Sequence, residues 1–150
     1  MKARIWSKID YRNTVSVIFR MAREFKRDLC EFPRLDTVRR VYDYVRALPY
    51  RDDPPGIEFV SRPAYTLWPE WTGPRDCDDK TLALGAWCNL YGFAWRVVCA
   101  GESADPALNP HHIYPEIKLD AIWTPADATY RRCELGSLLY VERFREVYTP

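Results

Sequence analysis

Residues 75 to 98 read RDCDDKTLALGAWCNLYGFAWRVV, and this stretch decides the fold. Asp76 can cap a helix here, with Asp79 three residues on as its capping-box-like partner. Leu82, Leu84, Ala86, Trp87 and Leu90 give the helix predicted over 76–89 an apolar surface on almost every side, which makes it central and buried. Gly92 is positioned to end it. Residues 93–100 follow as a strand, with Phe93, Trp95, Val97 and Cys99 on one face.

Upstream, Val15, Ile18, Phe19, Ala22 and Phe25 recur at helical spacing over 13–25. Asp36 and Thr37 open a second helix, where Val38, Val41, Tyr42, Val45 and Leu48 form one apolar stripe and Pro49 ends it. Residues 50–75 differ in kind: Pro54, Pro55, Pro63, Pro69 and Pro74 alternate with Tyr50, Phe59, Tyr65, Trp68 and Trp71. Prolines this dense forbid a regular helix and disfavour a central strand. The segment reads both as an aromatic cleft wall and as a proline-braced wrap over the core, two readings that are compatible.

Downstream, residues 101–110 are a breaker-rich loop, 112–118 and 122–126 are two strands joined tightly, and 138–147 close the chain as a helix or a strand. Helices first, then a central helix, then antiparallel strands argue an α+β fold, with N-terminal helices and the central helix packed on an antiparallel sheet. A length of 150 residues favours a single domain.

Apolar residues make up 47% of the chain and charged residues 29%, a globular rather than disordered balance. The formal net charge of +1 gives no global electrostatic argument for nucleic acid or for an anionic membrane. Arg20, Arg23, Lys26, Arg27, Arg39 and Arg40 make the N-terminal third locally basic and read as a solvated helix face. No apolar run reaches the roughly 18 residues of a membrane span. Charges interrupt residues 1–11, so no signal peptide is expected and a cytoplasmic protein is.

Cys30, Cys77, Cys88, Cys99 and Cys133 are odd in number, show no disulfide-framework spacing and include no C-x-x-C pair. Reduced thiols are expected, four of them small buried fillers.

Cys77 is the exception, at the start of the buried helix. Free N–H groups and the positive dipole end favour a thiolate there, whereas the Asp76 and Asp79 carboxylates repel it and raise the thiol pKa. A small residue in a tight turn is the plainer reading of the same position. His111 and His112 are the only histidines. On a strand, His112, Tyr114 and Glu116 share a polar face, while Ile113 and Ile117 share the other, and Pro115 suggests an edge or a bulge. A two-residue turn at Leu119-Asp120 sets His112 directly opposite Asp127, with Cβ atoms roughly 5 Å apart. A one-residue slip would move Asp127 to the other face. Taken singly, His112 also reads as an ordinary strand polar residue and Asp127 as a turn carboxylate. Together, Cys77, His112 and Asp127 fit a nucleophile, a base and an orienting group. A zinc site of Cys77, His111, His112 and nearby carboxylates is the weaker alternative, and no metal or cofactor is expected.

Cys77-Asp78-Asp79, the leucine-rich helix after it, and Gly92 through Arg96-Val97-Val98 resemble the transglutaminase-like superfamily. His112-Ile113-Tyr114-Pro115-Glu116 is similar to that family's histidine strand, and Trp123 through Asp127 to Thr129 to its aspartate strand. The resemblance spans about 36–129 and is strongest to small bacterial and bacteriophage members. It implies a papain-like core, with Cys77 as nucleophile, His112 as base and acid, and Asp127 as orienter. It implies thiol-dependent acyl transfer on a protein or peptide substrate, with hydrolysis favoured over cross-linking. Arg75 stands where many members carry glycine, and could crowd the oxyanion side or help hold a thiolate. Trp71 and Trp68 are candidate oxyanion donors, and Tyr114 a further cleft candidate. A second reading keeps the fold with little activity, as a structural or interaction protein of a bacteriophage particle whose partners are other virion proteins.

Overall fold

The computed structural model describes residues 2–5, 11–105 and 108–150. In chain order the elements are strand β1 (Lys2–Ile5), helix α1 (Tyr11–Glu24), a 3-10 turn (Lys26–Glu31), helix α2 (Val38–Ala47), strand β2 (Glu58–Ser61), the short helix α3 (Pro63–Thr66), helix α4 (Cys77–Tyr91) and strands β3 (Trp95–Gly101), β4 (His112–Leu119), β5 (Ile122–Pro125) and β6 (Phe144–Tyr148). The fold is α+β: a four-stranded antiparallel sheet in the order β5-β4-β3-β6, helices against it, and a separate two-stranded ribbon of β1 and β2.

The helix of the opening stretch is buried from Asp78 to Cys88. It can be, because Leu82 to Cys88 are apolar on every side, and Asp79, Lys80 and Thr81 in the first turns have hydrogen-bond partners. It starts with a complete capping box: the Asp76 carboxylate accepts from Asp78 N, and the Asp79 carboxylate accepts from Asp76 N. It ends at Gly92, whose φ of 78° lies where a side chain is unfavourable. Gly85 lets the sheet approach, since a Cβ there would lie 2.3 Å from the Trp95 ring. Thr37 caps α2 by accepting from Arg40 N, and the chain turns extended at Leu48 before Pro49.

The main core joins Val15, Ile18 and Met21 of α1, Val41 and Val45 of α2, Leu82 to Cys88 of α4, and Val97, Cys99, Ile113 and Ile117 from one face of the sheet. The opposite face is covered too: Val98, Ala100 and Tyr114 pack beneath Leu138 and Tyr140. Burial on both faces explains why β3 and β4 are shielded along most of their length.

The structure changes several expectations. The closing segment resolves as strand β6, paired with β3. The sheet strand begins at Trp95, and Phe93 is 36% exposed and packs on Trp87 instead. The proline-rich segment contains β2 and the single helical turn α3, which starts with Pro63 where a missing N–H costs nothing. The β4–β5 turn falls at Asp120-Ala121, not Leu119-Asp120, because both central residues take positive φ (48° and 68°) and aspartate tolerates this better than leucine. Leu119 therefore faces Ile122 and Glu116 faces Pro125.

Candidate active site

The register change moves Asp127 by two positions relative to β4, and a shift of two keeps every side chain on its face. His112 and Asp127 are thus diagonal rather than directly opposite, and their side chains meet: Asp127 Oδ2 lies 2.8 Å from His112 Nε2. A carboxylate only accepts, so Nε2–H donates, which leaves Nδ1 as the free ring nitrogen of neutral His112.

Asp127 is completely buried and held at three points. Its Oδ1 accepts from Thr129 N at 3.1 Å, and its carbonyl accepts from the Tyr42 hydroxyl at 3.0 Å. Tyr42 also donates to the Cys133 carbonyl at 2.7 Å, so α2 pins the whole aspartate loop. The His112 ring is packed by Tyr114, Tyr130 and Tyr140, with centroids 5.9, 5.6 and 5.7 Å away. The loop before His112 approaches β3 closely, since a Cβ on Gly101 would lie 1.7 Å from Asn109 Oδ1, and Asn109 in turn donates to the Ser103 and Asp105 carbonyls.

Cys77 is the first residue of α4 and half-buried. It lines a cleft of about 520 Å3 together with His112, Tyr50, Tyr130 and Arg132. Two sequence candidates, Cys77 and His112, thus share one cavity, and Asp127 lies against His112. Burial pushes the Cys77 thiol well above its ordinary pKa, the Asp76 charge adds to this, and a backbone hydrogen bond from Ile113 opposes it. Burial thus joins the carboxylates in opposing the thiolate that the helix start favours.

The other candidates lie elsewhere. The Trp71 indole N–H donates to the Pro74 carbonyl at 3.3 Å, and its ring packs on Tyr65. Trp68 is 56% exposed, and neither tryptophan lines the cleft. The Tyr114 hydroxyl is spent behind the sheet, donating to Glu142 and accepting from Arg145. Arg75 neither crowds the cleft nor holds the thiolate: it is completely buried, and its guanidinium donates to the Thr66 and Trp68 carbonyls at 2.8 and 2.7 Å. Its backbone pairs with Arg51, so Arg75 sews the proline-rich segment to the core. The exposed His111 stands 4.0 Å from Glu102. Among the described residues, the one group of donors close enough for a metal is Asp76, Asp78 and Asp79, which contains neither Cys77 nor a histidine. Two of these carboxylates serve as helix caps.

Two further residues bear on the site: Tyr50, which belongs to the aromatic segment read as a cleft wall, and Lys80, which the sequence reading missed. Tyr50 lines the cavity, and its phenol pKa is pushed up by burial and by the nearby Cys77 and Asp76. Lys80, one turn along α4 from Cys77, is buried and donates to the Leu48 carbonyl at 2.8 Å and the Ala128 carbonyl at 3.1 Å. Burial lowers its pKa to about 8. The signal available for it was a lysine two residues before the apolar run Leu82 to Cys88 of a helix expected to be buried.

No protein-family model matches the chain, and no curated protein or solved structure matches it. Among the described residues, no helix is long and apolar enough to cross a membrane.

Proposed function

We propose that this protein is a thiol-dependent acyltransferase of the transglutaminase-like, papain-related kind, hydrolysing peptide or amide bonds. The observation that carries this reading is the cleft shared by Cys77 and His112, with Asp127 Oδ2 2.8 Å from His112 Nε2. A cysteine-bearing helix packed on an antiparallel sheet supports the papain-like core.

The chemistry follows from the hydrogen bonds. His112 Nδ1 takes the Cys77 proton as the sulfur attacks the amide carbonyl, an S–C bond forms, and the carbonyl electron pair moves onto oxygen. The Cys77 backbone N–H, at a helix start, is the donor for that oxyanion, and the Tyr50 phenol, which also lines the cleft, is hydrogen-bonded to Asp52. As the intermediate collapses, the C–N bond breaks and His112 gives its proton to the leaving nitrogen. Water, deprotonated by His112, then attacks the thioester. The C–S bond breaks, Cys77 recovers a proton, and a carboxylic acid leaves. Asp127 holds the imidazole in the required tautomer and stabilises the imidazolium.

The test is turnover of a fluorogenic peptide library, run with and without a biotinylated primary amine, in wild type and Cys77→Ala. The expected result is a hydrolysed product, lost by at least about a thousandfold in the variant. Turnover that survives in Cys77→Ala overturns the reading, as does a library left untouched by wild type. Biotin transfer in place of hydrolysis would make the acceptor an amine.

One observation favours the second reading, an interaction protein of a bacteriophage particle. Trp68 is 56% exposed and Tyr65 40% exposed on the proline-rich segment, as an interface anchor would be. An inert Cys77 together with stable co-purification of virion proteins would decide for it.

A further inference from the structure

The cleft has an uneven charge. Carboxylates behind it (Asp76, Asp127 and Glu58) act on Cys77, whereas the charged residues on its lining beside the reacting pair are Arg131 and Arg132, with His111 4.0 Å from Glu102 and no carboxylate on the lining itself. All three belong to loops that flank the pair, Arg131 and Arg132 on the segment after Asp127 and His111 just before His112. Arg131 donates to the Ala47 carbonyl at 3.1 Å, which anchors that side chain across to the end of α2. Neither Arg131 nor Arg132 forms an ion pair among the described residues, and Arg132 makes no hydrogen bond among them either. The arginines that brace the fold are occupied by contrast: Arg62 pairs with Asp28, and Arg96 and Arg145 both pair with Glu116. The remaining cleft lining is Thr129 together with Tyr50, Tyr130 and Leu139, the last three each 40% exposed or more. A planar guanidinium beside exposed rings suits a short peptide that presents a carboxylate, because the fork binds it in bidentate fashion while the rings cover the backbone. The cavity, at about 520 Å3, has room for such a side chain beside the reacting carbonyl.

We propose that the cleft selects acyl donors bearing an acidic side chain, aspartyl or glutamyl, next to the reacting carbonyl, with Arg132 as the specificity-determining residue and Arg131 supporting it. The proposal rests on the acyl-transfer reading of the same cleft.

The test uses the full-length Cys77→Ala protein, which holds a peptide without turning it over. Short labelled peptides that differ only in Glu, Gln or Lys at one position are titrated by fluorescence anisotropy. The Glu peptide is expected to bind at least about tenfold more tightly than its neutral isostere at low salt, with the advantage shrinking as salt is raised. Arg132→Gln removes no hydrogen bond among the described residues and is expected to keep the wild-type circular dichroism spectrum. In that background the ratio falls to within about threefold, and in Arg132→Glu the preference turns to Lys. Equal binding of Glu and Gln peptides, or a preference that survives both Arg132→Gln and Arg131→Gln, overturns the proposal. Acylation of Cys77 in the wild-type protein separates the two readings. Acylation without Glu preference sinks this inference and leaves the reaction standing. Glu preference without acylation sinks the reaction and leaves a carboxylate-binding cleft.

Discussion

Cys77 shares its helix start with three aspartates, and those carboxylates divide the work between structure and reactivity. Asp79 accepts from Ser61 N at 2.6 Å and from Asp76 N at 3.3 Å, which ties β2 to α4. Asp76 caps the helix but also adds the largest charge effect on Cys77, raising its pKa. Asn caps as well as Asp does, so Asp76→Asn keeps the helix start and removes that charge. Alkylation of Cys77 at pH 7, followed by peptide mass spectrometry, is expected to speed up severalfold in this variant, and an unchanged rate would count against the assignment. Asp78 is different again. It is 1% exposed, and no N–H or hydroxyl donates to its carboxyl, whose one partner is the Asp76 carboxylate, with which it shares a proton when protonated. Burial and the neighbouring Asp76 raise its pKa well above the ordinary carboxylate value. The sign follows: the folded protein keeps a proton that the unfolded chain releases near pH 4, so the stability this proton confers is present at low pH and is lost as pH rises through the folded pKa. Asp78→Asn is therefore expected to stabilise the protein at pH 8 by on the order of 1–3 kcal/mol in urea denaturation. The gain should vanish by about pH 4, and a gain of equal size at both pH values would contradict the account.

At the level of elements, the β4–β5 turn is the weak point of a well-matched sheet. Ala121 is held at a φ of 68° in a two-residue turn whose other member, Asp120, suits that geometry. Ala121→Gly forms an Asp-Gly turn and is expected to raise stability by about 0.5–1 kcal/mol, the left-handed penalty less the extra chain entropy of glycine. A lower melting temperature would show that the turn is not of this type in solution. The same turn marks the limit of reading the sequence. Residues 112–118 and 122–126 declared themselves as strands through alternation and β-branched content, but where a tight turn falls depends on backbone angles that Leu119, Asp120 and Ala121 do not announce. The helices were legible by different signals: α1 by apolar spacing, α2 by its stripe with Thr37 and Pro49 at its ends, and α4 by the Asp76 cap, a continuous apolar run and Gly92. The ribbon of β1 and β2 was not, because each strand has four residues and its partner lies far away in sequence. Arg75 misled for a related reason: its guanidinium serves the Thr66 and Trp68 carbonyls, groups with no sequence signature.

Across the whole molecule, the site arises where three separately stabilised pieces meet. The capping box sets Cys77 at the start of α4, the antiparallel ladder sets His112 at the start of β4, and Tyr42 of α2 with Lys80 of α4 fixes the loop carrying Asp127 and Ala128. That Cys77, His112 and Asp127 come together could be read from the sequence, since the only two histidines and a helix-start cysteine are conspicuous. Its supports could not, because Tyr42 and Lys80 act through backbone carbonyls distant in sequence. The account predicts that only this assembly activates a thiol, even though Cys30 is the more exposed one. The most direct measurement is acylation by p-nitrophenyl acetate at neutral pH, followed by intact mass and peptide mapping, in wild type and His112→Ala. The account predicts an acetyl group on Cys77 in preference to the other four cysteines, formed at a rate that falls at least about a hundredfold without the imidazole. Acylation of Cys77 no faster than that of Cys30, or equally fast in both proteins, would contradict it.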